Sequence, residues 1–198
     1  RGPAAGLSAP GTGAGSGQVA SILRYQDRPV DPVQAGGELA VEAVRRVPVP
    51  WGYNLITLCH IQLENLDEAA RAVDRMVREL QTRPAVHSLQ GLIAACSSET
   101  EEARRQVART VENEKAYGHY HHAQYDIACI HALTGRPRRA VDWLRRAAGN
   151  GYPCFSFFSR DRLLDSVRDD DGFVRLMKAL EGEQEGYRRL QSELSSSV

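Results

Sequence analysis

GYNLITLCHIQLENLDEAARAVDRM (52–76), VHSLQGLIAACSSETEEARRQVART (86–110) and AQYDIACIHALTGRPRRAVDWLRRA (123–147) are three versions of one pattern, and reading them together decides the fold. Ala69 and Ala103 stand 34 residues apart in matching surroundings, and Ala140 follows after 37, as if three residues had been inserted. Each stretch reads as helix, tight turn, helix. Self-similarity at this period marks stacked helical hairpins, in which each unit buries its apolar face only against its neighbours. Arrays of this kind usually bind other proteins rather than carry out chemistry, so the period bears on function as well as fold.

Dividing the chain into 50–83, 84–117 and 121–154 puts small residues where helices must approach closely. The eighth positions are Thr57, Gly91 and Ala128, and the twentieth are Ala69, Ala103 and Ala140. Val73, Val107 and Leu144 follow one turn later, then Met76, Thr110 and Ala147. This spacing is the buried stripe of an amphipathic helix. At the turns, Asn65 with Glu68 and Ser98 with Glu101 fit a capping box, a polar cap answered by Glu three residues on. In the third unit, Pro137 suits a first helical turn, and Gly149 and Gly151 suit a helix end.

These residues resemble the tetratricopeptide repeat. The small positions, the large residue four after the second alanine and the turn near position 15 all match over about 105 residues. The pattern departs at position 4, where the family's aromatic is Tyr53, then His87, then Gln124, and at position 11, where its Tyr is His60, Ala94 and His131. The segment NGYPCFSFFSRDRLLDSVRDDDGFVRLMKAL (150–180) resembles the closing segment of many bacterial tetratricopeptide proteins, with a short helix near 159–168 and a last helix near 172–192. The resemblance implies an all-α, right-handed superhelical solenoid with a C-terminal helical cap spanning 155–198. It further implies a concave groove lined by first-helix residues: Trp51, Asn54, Leu58, Ile61 and Gln62, then Ala85, Ser88, Leu92, Ala95 and Cys96, then His122, Tyr125, Cys129, Ala132 and Leu133, unless the last helix or the N-terminal segment folds in and fills it. The basic clamp with which chaperone-binding members hold a terminal carboxylate is missing from these positions.

The rest of the chain is read from composition. Residues 1–17, with six Gly and two Pro, read as a flexible linker. A short helix is expected at 18–26, and GGELAVEAVRRV (36–47) forms another, with Ala40, Val44 and Val47 repeating the stripe. Residues 18–49 are therefore a degenerate repeat or an N-terminal cap. Twenty-five basic residues balance 25 acidic ones, which argues against bulk affinity for nucleic acid or membrane. No apolar run is long enough for a membrane span. The start at Arg1, without Met, leads us to expect a fragment or processed product whose missing part could hold a catalytic domain. Cys59, Cys96, Cys129 and Cys154 form no Cys-x-x-Cys pair and read as buried thiols in a reducing cytoplasm.

Two clusters invite chemistry. His119, His121 and His122 lie together, with Asp126 one turn after His122, a usable metal-ligand spacing; no paired motif accompanies them, and they are expected to be a polar helix entry. His60 and His131 are expected to pack in place of the repeat's Tyr. RPRRAVDWLRR (136–146) carries five arginines and reads as a solvated outer face, neutralised by DRLLDSVRDDD. The expectation is a non-enzymatic, cofactor-free module that binds a protein or peptide partner in its groove as part of a larger bacterial signalling or regulatory protein. A metal or enzymatic site at the histidine cluster is the alternative.

Overall fold

The computed structural model describes residues 32–80, 84–114 and 119–196. The linker at 1–17 and the helix expected at 18–26 lie outside the described residues. Every described element is helical: α1 Pro32–Arg46, α2 Pro50–Gln62, α3 Leu66–Leu80, α4 Pro84–Cys96, α5 Thr100–Glu112, α6 Tyr120–Leu133, α7 Pro137–Gly149, a one-turn α8 Phe155–Phe158, a 3-10 turn Arg162–Val167, and α9 Asp171–Ser196. The short cap helix thus falls before the expected 159–168 and gives way to a 3-10 turn. No helix among the described residues is long and apolar enough to cross a membrane.

The pairing follows the period. Helix α2 packs on α3, α4 on α5 and α6 on α7, while α4 also touches α2 and α6, and α1 lies on α2. The small positions make this possible. Thr57, Ala69, Ala103, Ala128 and Ala140 are fully buried. At Gly91 a Cβ would sit 2.9 Å from Ile130 Cδ1 and 3.1 Å from Gln106 Cβ, so even alanine would crowd α4 against α5 and α6. The stripe residues Val73, Met76, Thr110, Leu144 and Ala147 are buried as their spacing predicts, and Val107 is half-buried. On α1, Ala40 and Val44 are buried, but Val47 lies beyond the helix end and is exposed.

The three turns share one backbone. Glu64 (φ 61°), Ser98 (φ 63°) and Gly135 (φ 71°) each adopt the left-handed conformation. The amide of each bonds back to the carbonyl three residues earlier, on Ile61, Ala95 and Ala132. The next amides, of Asn65, Glu99 and Arg136, bond to His60, Ala94 and His131, each at 2.8 Å. This pair of bonds is the Schellman motif, which satisfies carbonyls left open at a helix end. The carbonyls of the same three residues then accept from the amides of Ala69, Ala103 and Ala140, starting the next helix.

The expected capping box is not what holds the second turn. Ser98 is the left-handed residue that ends α4, and Glu99, with no side-chain cap bond, starts α5. Glu68 and Glu101 are taken up by Arg71 and Arg104 instead. The Schellman geometry recurs after α7 at Gly151 (φ 102°), whose neighbour Tyr152 bonds to the Ala147 carbonyl at 3.0 Å. From there the chain turns back over α6. Asp161 caps the 3-10 turn through the Leu163 amide at 3.0 Å, and Asp170 caps α9 through the amides of Gly172 and Phe173. Helix α9 buries Phe173, Leu176, Met177 and Leu180, the expected inward residues, and rests on α7 and α8.

Candidate functional site

The first helices α2 and α6 and the segment after α7 enclose a cavity of about 490 Å³. Helix α2 contributes Trp51, Asn54, Leu55 and Leu58, α6 contributes His122 and Tyr125, and the closing segment adds Tyr152 and Phe157. Val33 and Gly36 of α1 complete the rim. The period explains this placement: residues at positions 2, 5 and 9 of a first helix share one face, so Trp51, Asn54 and Leu58 point the same way.

The aromatic wall is tightly built. Tyr125 stacks on Phe158 with ring centroids 5.6 Å apart and planes 5° from parallel, and touches Tyr152 edge-on at 5.7 Å and Phe157 at 5.2 Å. Tyr125 and Phe158 are buried, whereas Trp51 (52%) and Phe157 (39%) keep much of their surface in solvent.

Nine of the groove residues expected from the sequence fall into two sets. Trp51, Asn54, Leu58, His122 and Tyr125 line the cavity. Ile61, Leu92 and Cys129 are sealed in the core with Phe158, Leu163 and Leu164, and half-buried Cys96 packs against the same cluster. The chain itself occupies that end. Gln62 donates to Asp161 Oδ1 at 2.5 Å, Cys129 Sγ lies 4.0 Å from Asp161 Oδ2, and Arg162 bonds the Ile61 carbonyl and pairs with Glu64 at 2.8 Å. The segment that fills this end of the groove is thus 158–167. Tyr152 and Phe157 were missed in the sequence reading because Tyr152 follows the second helix of the third unit and Phe157 lies beyond the repeats, so neither holds a first-helix position; the aromatic density of GYPCFSFF was the available signal.

The electrostatics are those of a neutral, desolvated surface. His122 is pulled down to about 4, first by burial and then by His121 and His119, so it is an uncharged imidazole at neutral pH. Burial likewise lowers His121. Asp126 accepts from Ser88 Oγ at 2.7 Å and is pushed up to about 7 by complete burial. Its second oxygen and the Tyr125 hydroxyl have no hydrogen-bond partner among the described residues. The Cys129 thiol is driven well up by burial, with Asp126 and Cys96 adding to the effect, which disfavours its thiolate.

The histidine cluster is real as a contact. His121 and His122 ring centroids are 4.5 Å apart, and both pack on Tyr152. Asp126, however, is turned to Ser88 on the neighbouring helix. No three His, Cys, Asp or Glu side chains among the described residues are placed to hold one ion. The arrangement suits packing against an apolar or aromatic group, with Asn54 and His122 available for a hydrogen bond. In comparisons with protein-family models, with curated proteins and with solved structures, nothing matches this chain.

Proposed function

We propose that this chain is a protein-interaction module, a tetratricopeptide-like solenoid with a helical cap, that takes a peptide segment of a partner protein in the cavity between α2, α6 and the closing segment. The observation that supports this reading is the open aromatic wall. Trp51, Leu55 and Phe157 stay exposed around a concavity whose deeper walls are apolar and uncharged. Exposed apolar groups gathered in a cleft mark binding surfaces, and binding energy concentrates on aromatic anchors that become buried. The occupant is therefore an extended segment or helix carrying one or two large apolar side chains. The module serves as a cytoplasmic scaffold within a larger signalling or regulatory protein.

The test is selection of short peptides against the full chain, followed by calorimetry on variants. Trp51→Ala and Phe157→Ala should each weaken a selected peptide by about 1–3 kcal/mol, the range of interface anchors. Circular dichroism should be unchanged. Peptides that bind both variants as tightly as the parent, or that protect α5 and α7 rather than α2 and α6 from exchange, would overturn this reading.

A further inference from the structure

The arginine-rich stretch was expected to be neutralised by DRLLDSVRDDD, and three of those five acids are engaged elsewhere. Asp165 pairs with Arg168, Asp170 caps α9, and Asp161 holds Gln62 and the Leu163 amide. Asp142 pairs with Arg145. Among the described residues no acidic partner is found for Arg136, Arg138 or Arg139. Two of the three converge with Arg104 of α5 on a cleft of about 300 Å³ between α5 and α7. Its other wall is apolar, formed by Val111 and the half-buried Trp143. This cleft shares no lining residue with the aromatic groove.

His131 also lines the cleft. It is 6% exposed, and its Nδ1 has no hydrogen-bond partner among the described residues. Its pKa is pulled down to about 4, by burial first and then by the positive charges of Arg136 and Arg139, which line the same cleft. The cleft also opens beside the start of α7, where Arg136 makes no side-chain cap bond and the helix dipole adds positive potential. Arg136 and Arg139, with no acidic partner found among the described residues, repel one another, and a bound dianion relieves that repulsion; Arg104, paired with Glu101, adds a third guanidinium to the cleft. The guanidinium fork matches phosphate oxygens, and Trp143, whose ring carries the Arg146 guanidinium 4.6 Å from its centroid, lines the cleft beside them.

The geometry points to a second binding site in this cleft, for a phosphate monoester on a short aromatic or apolar body, with Arg104, Arg136 and Arg139 holding the phosphate and Trp143 the body. A phosphorylated side chain of a polypeptide and a free small-molecule ester share this chemistry.

Titration of the full chain with phenyl phosphate, followed by NMR, tests the assignment. The Trp143 indole and His131 ring signals should shift, and the His131 titration midpoint should rise, because a neighbouring dianion favours imidazolium. Phenyl phosphate should bind about tenfold more tightly than inorganic phosphate, which lacks the body, and than p-cresol, which lacks the charge. Arg139→Gln should weaken it by about tenfold, whereas Arg138→Gln, which alters an arginine outside the cleft, should change it by less than about threefold. A tyrosine-phosphorylated peptide that binds more tightly than phenyl phosphate identifies a polypeptide as the source; equal affinity identifies a small ester. The proposal falls if neither signal moves with millimolar phenyl phosphate, or if the two glutamine variants weaken binding equally, as diffuse surface charge would dictate. Either failure leaves the groove reading untouched, because peptide binding there is scored on Trp51 and Phe157.

Discussion

Helices α2 and α6 hold equivalent places in the first and third hairpins, yet they meet very different surroundings. At position 6, Leu55 is exposed and Asp126 is fully buried; at position 9, Leu58 is half-buried and Cys129 is sealed. The repeat does not create this difference, because both helices pack on their own second helix and on α4. It arises because α6 buries Asp126 against Ser88 of α4 and the closing segment 155–167 folds back over α6, reaching α2 at its far end through Asp161, Arg162 and the cluster around Ile61. One groove is thereby divided into an end sealed by the closing segment and an end that stays open among the described residues. A position in a repeat predicts which way a side chain points; the segments outside the repeat decide whether it is covered.

The hardest test of this division compares one ring from each end. Phe158 is fully buried and stacked on Tyr125, so Phe158→Ala should cost about 3–5 kcal/mol, the usual loss for an aromatic removed from a core. Trp51→Ala, at a ring 52% exposed, should cost less than about 1 kcal/mol. Urea denaturation of both variants measures the contrast. Equal losses would erase the distinction between the two ends. By the same logic Tyr125, expected from sequence as a binding anchor beside Trp51, is chiefly a fold residue, and its truncation should unfold rather than unbind.

The buried acid at the sealed end sharpens the comparison through pH. Asp126 has a folded pKa raised from 3.8 to about 7, so the folded state holds this proton more tightly than the unfolded chain does. Its contribution is fully present below about pH 4 and is lost as pH rises through 7. His122 and His131, both lowered to about 4, act in the opposite sense and withdraw stability as pH falls from about 6.5 to 4. Two histidines against one aspartate should give net stability that rises from pH 4 towards 6.5 and then declines slightly. Asp126→Asn removes the declining part. Relative to the parent it should gain about 3 kcal/mol between pH 5 and pH 8, by linkage over two pH units. Denaturant midpoints at those two pH values check this; a constant difference would mean that Asp126 stays ionised in the folded chain.

The helical hairpins were legible because close approach admits few side chains. Only small residues fit at Thr57, Gly91 and Ala128, and at Ala69, Ala103 and Ala140, so geometry leaves a periodic trace in composition. The open end was legible for the same reason, since Trp51, Asn54, Leu58, His122 and Tyr125 keep repeat positions. The sealed end was not. Phe158, Asp161, Leu163 and Leu164 belong to a segment with no period, and nothing in their order states which helix they cover. The turn at Ser98 was misread because Ser-x-x-Glu fits a capping box equally well when the serine closes the preceding helix.

The smallest expected effect lies in those turns, where the first two hairpins and the third use different residues for the same left-handed backbone. A non-glycine residue in this conformation costs about 1–2 kcal/mol. Glycine avoids that cost but loses about 0.5–1 kcal/mol more backbone entropy on folding. At Ser98 the side chain is exposed and no side-chain cap bond holds α5, so Ser98→Gly should stabilise the chain by about 0.5–1 kcal/mol. For a chain of this size that is a rise in melting temperature of about 1–4 °C. At Gly135 an added Cβ would meet nothing within 4 Å, so Gly135→Ala isolates the backbone term and should destabilise by a similar amount. Glu64→Gly is the less clean substitution, because it also removes the ion pair with Arg162 that ties the first turn to the closing segment. Opposite and comparable shifts for Ser98→Gly and Gly135→Ala would show that the three turns are one structure with interchangeable residues. Destabilisation by Ser98→Gly would instead mean that the serine side chain contributes at this turn, and the equivalence of the hairpins would fail there.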